Sequence, residues 1–132
     1  MSSDRWQTPA HEALRARPGF DLAGLDHDAT PGWEGDRDQG EERMAERGED
    51  LLALQEKLYA HGRTGGTRAV LLVLQGLDTA GKGGIVRHVV GMVDPQGVAL
   101  RSFGVPTPEE REHDYLWRIR NALPRPGYLG VF

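Results

Sequence analysis

Val70-Leu71-Leu72-Val73-Leu74-Gln75-Gly76-Leu77-Asp78-Thr79-Ala80-Gly81-Lys82-Gly83-Gly84 is a run of β-branched and leucine residues that breaks into a glycine-rich loop carrying one lysine. A run apolar at every position suits a strand covered on both faces. The glycines at 76, 81, 83 and 84 permit backbone conformations that a Cβ would block, so that successive N–H groups can face an anion. Lys82 adds a point charge. The stretch reads as a phosphate-binding loop set between a strand and a helix.

The spacing Gly76-x-x-x-x-Gly81-Lys82 fits the Walker A pattern up to its last position, where Gly83 stands in place of the Ser or Thr that usually holds Mg²⁺. Asp78 is the obvious replacement. A carboxylate inside a phosphate loop repels the ligand unless a cation lies between them, so either Asp78 takes over that role or the loop is not used for ordinary hydrolysis.

The loop lies in a chain of 132 residues, which suits one domain. Residues 1 to 66 hold 14 acids and 8 bases, net −6, whereas residues 67 to 132 hold 6 acids and 8 bases, net +2. The half with the loop is thus the better suited to an anionic ligand. Nothing in this balance points to nucleic acid. With no cysteine, neither a disulfide framework nor a thiolate metal site is available. The start, Met1-Ser2-Ser3-Asp4-Arg5-Trp6, lacks the basic and apolar regions of a secretory signal, and no apolar run approaches the ~18 residues that a bilayer demands. The expectation is a cytoplasmic protein without a membrane partner.

Residues 1 to 40 are rich in Pro, Gly, Asp and Ala and read as an extended arm anchored by Trp6, Phe20 and Trp33. From Gly40 to Ala60 the periodicity is helical, with Met44, Leu51, Leu54 or Gln55, and Leu58 on one face, and with Gly62 placed to cap the end. After the loop, Ile85, Val89 and Met92 or Val93 form the stripe of a second helix that Asp94-Pro95 stops. Gly97 to Phe103 reads as a strand. Thr107-Pro108-Glu109-Glu110 opens a third helix, with threonine as N-cap, proline at the first position and glutamate at the third. That helix is expected to run to Leu123 with Leu116, Ile119 and Leu123 inward. Tyr128 to Phe132 is a last strand, expected to leave an unpaired edge. The fold class expected is α/β: a P-loop kinase-like parallel sheet with flanking helices, incomplete, preceded by the arm and a helix.

These residues resemble the polyphosphate kinase 2 family, which moves phosphoryl groups between inorganic polyphosphate and nucleotides. Leu74 to Gly84 is similar to that family's Walker A segment, with Asp two residues after the first glycine and without the usual Ser or Thr. Asp94-Pro95-Gln96-Gly97-Val98, Ser102-Phe103, Pro106-Thr107 and Glu112-His113-Asp114-Tyr115-Leu116-Trp117-Arg118 are similar to further family blocks in the expected order. Many relatives have lysine where this chain has Gly104. After a segment like Gly130-Val131-Phe132 the family continues with a Walker B block and a basic lid, so the resemblance covers the N-terminal half only and implies a chain truncated before both. Residues 41 to 132 would be the N-terminal portion of the kinase domain.

The resemblance implies a Mg²⁺-dependent phosphotransferase acting on polyphosphate and AMP, ADP or a guanine counterpart, and a homo-oligomer in full-length form. Asp78 and Lys82 would be catalytic, with Asp78 also the metal ligand. Gly76, Thr79, Ala80, Gly81, Gly83 and Gly84 would bind phosphate, joined by Arg87 and Arg118, whose guanidinium forks suit phosphate oxygens. Trp117 reads as a packing residue more than a base-stacking one. Two other readings stand beside this one: an inactive truncated relative that binds phosphate chains or a partner, and a P-loop small-molecule kinase that uses ATP.

Overall fold

The computed structural model describes residues 5–132. The chain divides into two compact units between Met44 and Ala45, within the long helix α2 (Arg37–Arg63).

In the first unit the chain reverses on itself. Trp6 and Trp33 form an isolated antiparallel bridge, with their rings edge to face at 5.4 Å. A single helical turn, α1 (Ala10–Ala13), lies between them in sequence. Two of the three expected anchors therefore meet each other, and Phe20 is 52% exposed.

The second unit is built on three parallel strands, β1 (Val70–Leu72), β2 (Val98–Leu100) and β3 (Leu129–Val131), in the order β1-β3-β2. Val70, Leu71 and Leu72 stand opposite Leu129, Gly130 and Val131, which in turn oppose Val98, Ala99 and Leu100. The last strand in sequence is thus the central one. Val131 is only 1% exposed, and burying a valine so fully contributes about 1.5–3 kcal/mol. This corrects the expectation of an open edge at Tyr128–Phe132: the open edges are those of β1 and β2, because β3 inserts between them.

The α2 helix packs on the segments that lead into β2 and β3, through a face that apolar periodicity finds only in part, since it leaves Leu54 or Gln55 open. Leu54 is 63% exposed, whereas Gln55 is buried and donates from Nε2 to the Asp94 carbonyl at 3.2 Å. Gly48, Gln55, Tyr59 and Gly62, at steps of seven, four and three, lie on one side of the helix. A Cβ on Gly48 would lie 2.6 Å from Met92 Sδ, and one on Gly62 would lie 2.4 Å from Gly127 Cα. Tyr59 packs edge to face on Tyr128 at 5.5 Å. Gly62 is therefore a helical contact residue and not the cap. The chain leaves the helix three residues later through Gly65, whose φ of +93° favours glycine.

Beyond the loop, α3 (Lys82–His88) passes into a 3-10 turn over Val90–Met92. The Asp94 carboxylate accepts from Gln96 N–H at 2.9 Å and starts a second such turn over Pro95–Gly97, immediately before β2. The expected third helix is two short ones, α4 (Pro108–Arg111) and α5 (Trp117–Ala122). Asp114 explains the break. Its carboxylate accepts from Leu116 N–H at 3.0 Å and its carbonyl from Trp117 N–H at 2.9 Å, a local turn that competes with helix. Arg120 donates to the same carboxylate and holds it below the usual carboxylate range. With the helix broken, Leu116 and Leu123 are 42% and 52% exposed instead of forming a core stripe.

The start of α4 follows its sequence signature. Thr107 Oγ1 accepts from Glu110 N–H at 3.2 Å, and Glu110 Oε2 accepts from Thr107 N–H at 2.9 Å. Thr107→Ala removes half of this reciprocal cap, and the expected loss is about 1 kcal/mol in denaturant unfolding. An unchanged midpoint would show that α4 contributes nothing to the cooperative unit.

Candidate functional site: the loop after β1

The C-terminal end of β1 delivers the chain to the loop at Gly76–Gly84, and Gly81, with a φ of +88°, turns it into α3. Ala80 N–H donates to Leu77 O at 3.2 Å, and Ile85 N–H to Gly81 O at 3.1 Å. Thr79 has a φ of +65°, the left-handed region that a β-branched residue enters at a cost. A Cβ on Gly81, Gly83 or Gly84 would meet nothing within 4 Å. The space in front of these three glycines is therefore open, and the backbone there is accessible to a ligand.

Lys82 does not project outward. Its ammonium donates to Gly76 O at 2.7 Å and to Leu77 O at 2.6 Å, closing the loop across its own mouth. Asp78 is exposed, and among the described residues its carboxylate has no hydrogen-bond or ion-pair partner. The site so far consists of a curled backbone with open glycines, a lysine held at the loop and a carboxylate left free.

Of the other residues singled out from sequence, Arg87 is exposed on α3, and among the described residues it makes no ion pair. Arg118 is differently placed. On α5, it donates to Gly104 O at 2.9 Å, lies 3.5 Å from Glu110 Oε2, and sits over the Phe103 ring at 5.3 Å. It binds the segment after β2 to the start of α4, on the far side of β3 from the loop. In the sheet itself β3 separates β2 from β1, two strand spacings or about 10 Å.

Sequence reasoning missed what lies on that far side. A cavity of about 550 Å³ is lined by Leu100, Arg101, Glu109, Trp117, Arg118 and Asn121 among others. Arg101 follows β2 directly, at the same carboxyl edge of the sheet as the loop, which is where open parallel sheets place their ligands. That position was the available signal. Trp117, expected to pack, stacks on His113 with ring centres 4.1 Å apart and also lines this cavity.

The sequence of residues 34–132 matches the family described as Polyphosphate kinase 2. The chain belongs to the polyphosphate kinase 2 family. Over 96% of its length it resembles the crystal structure of Polyphosphate Kinase 2 from Arthrobacter aurescens, at 50% identity and a TM-score of 0.90, and it covers 46% of that chain. It is 43% identical over 113 residues to the AMP/ADP-polyphosphate phosphotransferase of Meiothermus ruber, covering 86% of this chain and 41% of that protein. Against the ADP-polyphosphate phosphotransferase of Rhodopseudomonas palustris it is 46% identical over 84 residues, covering 64% of this chain and 28% of that one. This polyphosphate kinase 2 chain therefore spans less than half the length of the relatives it matches, which are enzymes by name. The parallel sheet with flanking helices is the family's fold in part, as the sequence led us to expect. No helix among the described residues is long and apolar enough to cross a membrane.

The family and the loop both imply a divalent cation. Among the described residues no group of three or more acidic or histidine side chains could hold one. A single free carboxylate is nonetheless a fitting partner for Mg²⁺, which keeps most of its waters and is commonly bound by one or two carboxylates together with substrate phosphates. Asp78 supplies such a group.

Proposed function

We propose that this chain carries the phosphate-binding half of a Mg²⁺-dependent phosphotransferase that moves a phosphoryl group between inorganic polyphosphate and a nucleotide, AMP or ADP. The observation that carries the reading is the loop at the end of β1, where open glycines, Lys82 and an unpartnered Asp78 occur together. In the forward direction a phosphate oxygen of the nucleotide attacks the terminal phosphorus of polyphosphate. The bond from that phosphorus to its bridging oxygen breaks, and the polymer leaves one unit shorter.

Reactants of this kind repel one another, so catalysis consists largely of alignment and neutralisation. In this reading the N–H groups of Thr79, Gly81, Gly83 and Gly84 hold one phosphate chain, joined by that of Ala80 once it gives up its bond to Leu77 O, with Gly76 giving the loop its turn. Lys82 exchanges its two carbonyl acceptors for phosphate oxygens. Asp78 would hold the cation, which would supply positive charge to offset that of the phosphates. Arg87, exposed on α3, contacts the polymer where it leaves the loop. Arg118, already bonded to Gly104 O and close to Glu110, shapes the segment between β2 and α4, and polymer contact would have to compete with those bonds.

The test is transfer from long-chain polyphosphate to AMP and to ADP, followed by chromatography of the nucleotides, using this segment within a full-length kinase. Asp78→Asn keeps the shape and removes the charge. The expected loss is about a hundred- to a thousandfold in turnover, the usual cost of removing one group that stabilises transition-state charge. Turnover unaffected by the substitution, or supported by ATP as donor and not by polyphosphate, would overturn the reading.

A further inference from the structure

We propose that Arg101 is a further substrate-contacting residue, and that its guanidinium takes the phosphate end of the acceptor nucleotide. The inference rests on the phosphotransferase reading above and adds to it a residue outside the loop.

Arg101 follows β2 directly and so stands at the carboxyl edge of the sheet, where open parallel sheets place their ligands. Its backbone N–H donates to Val131 O at 2.9 Å, which fixes it beside β3. The guanidinium lies 5.8 Å from the centre of the Phe103 ring, and that of Arg118 lies 5.3 Å from the same ring. Phe103 in turn meets Phe132 edge to face at 5.0 Å, and Phe132 O accepts from Leu74 N–H at 2.7 Å. A short run of contacts thus joins Arg101 to the end of β1 from which the loop departs.

The two cations differ in what offsets them. Arg118 is bonded to Gly104 O and lies 3.5 Å from Glu110 Oε2. The Arg101 guanidinium, among the described residues, has only the ring of Phe103. A ring face attracts a cation but leaves its N–H donors to water. A phosphate accepts two of those donors at once, in the bidentate geometry that a guanidinium fork matches.

The surroundings choose between the two anionic reactants. Arg101, Glu109, Trp117 and Asn121 line the cavity of about 550 Å³, a volume within the range of small-ligand sites. Glu110 also borders it, but its carboxylate is engaged by Thr107 N–H. Polyphosphate carries charge on every unit, so Glu109 repels it. A nucleotide carries charge at one end only. Its base brings N–H groups that the Glu109 carboxylate and the Asn121 side-chain carbonyl can accept, and a flat surface suited to an aromatic ring such as Trp117. The same lining therefore favours the acceptor and disfavours the polymer.

The test is Arg101→Gln in a full-length kinase carrying this segment, with ADP binding measured by calorimetry without polyphosphate, so that no turnover intervenes. The dissociation constant for ADP is expected to rise about ten- to a hundredfold, the usual effect of losing a hydrogen-bonded charge pair. Arg101→Lys is expected to recover only part of it, because an ammonium cannot bind in bidentate fashion. Arg111→Gln, on α4 and outside the cavity lining, is the control and leaves the affinity unchanged. In steady state the KM for the nucleotide is expected to rise while that for polyphosphate stays the same. Equal ADP affinity in Arg101→Gln and the unaltered kinase, or a rise confined to the KM for polyphosphate, would overturn the inference and leave the phosphotransferase reading in place. Absence of transfer by the unaltered kinase would instead overturn that reading, and this inference with it. The Arg101 side chain is exposed, and a thermal melt of each variant checks that the fold is kept.

Discussion

Lys82→Ala, placed in a full-length kinase carrying this segment, is expected to lower phosphoryl transfer from polyphosphate by about a hundred- to a thousandfold while leaving the fold intact. The ammonium is the only cationic group in the loop from Gly76 to Gly84, so no neighbour within the loop replaces its charge. Its removal frees two carbonyls, those of Gly76 and Leu77, that it now binds at 2.7 and 2.6 Å. Both residues are exposed, so water takes over as donor and stability changes little. Initial rates and a thermal melt of the same preparation check the two halves of this expectation. Near-normal turnover would remove Lys82 from the reaction, and a collapsed melt with no specific rate effect would make it a structural strut. Lys82→Arg separates charge from shape, because a planar guanidinium cannot reproduce a point charge bound between two carbonyls.

Gly62→Ala is expected to destabilise the second unit by about 1–3 kcal/mol, the range for an overpacked contact that cannot relax. The added methyl would lie 2.4 Å from Gly127 Cα and 2.6 Å from Gly127 N, and main chain cannot swing aside as the tip of a side chain can. Gly127 is itself fixed, with a φ of +86° and its N–H donating to Arg68 O at 2.8 Å. Helix propensity alone predicts the opposite sign, since alanine exceeds glycine by about 1 kcal/mol in a helix interior. Gly40→Ala in the same helix is the control. There the nearest atoms, on the Trp33 ring, are 3.9 Å away, so stabilisation of about 0.5–1 kcal/mol is expected. Thermal unfolding followed by circular dichroism measures both, at about 4–8 °C per kcal/mol for a domain of this size. Equal shifts of the same sign would show that the contact between Gly62 and Gly127 is not tight in solution.

The parts of this molecule that sequence made legible are those whose physics is local. The loop after β1 follows from glycine spacing and one lysine, and the start of α4 from Thr107, Pro108 and Glu110, because each depends on residues within a few positions. What sequence did not disclose depends on distant partners. Periodicity left Leu54 or Gln55 open and could not choose between them, whereas α2 packs through Gly48, Gln55 and Gly62, residues whose value lies in what opposes them. The helix after Thr107 appeared continuous because Leu116, Ile119 and Leu123 keep helical spacing, while the turn made by Asp114 overrides that spacing. The order of strands was likewise out of reach, since no short-range signal says that the last strand inserts between the other two. For the site, the presence of Lys82 and Asp78 was readable. That one is held by the loop's own carbonyls and the other left free was not, because both outcomes suit the same letters.

The central position of β3 also sets a timetable for synthesis. Val70 has its partner at Leu129 and Val98 has its partner at the same residue, so neither β1 nor β2 has a neighbour in the sheet until Leu129 has emerged from the ribosome. Until then an apolar strand and the loop at Gly76–Gly84 behind it wait unpaired while the intervening segments are made. Contacts so far apart in sequence form slowly and leave apolar strands open to association in the meantime. A nascent chain paused before Leu129 is for that reason the form most in need of a chaperone, and one in which the loop has no sheet to hold it.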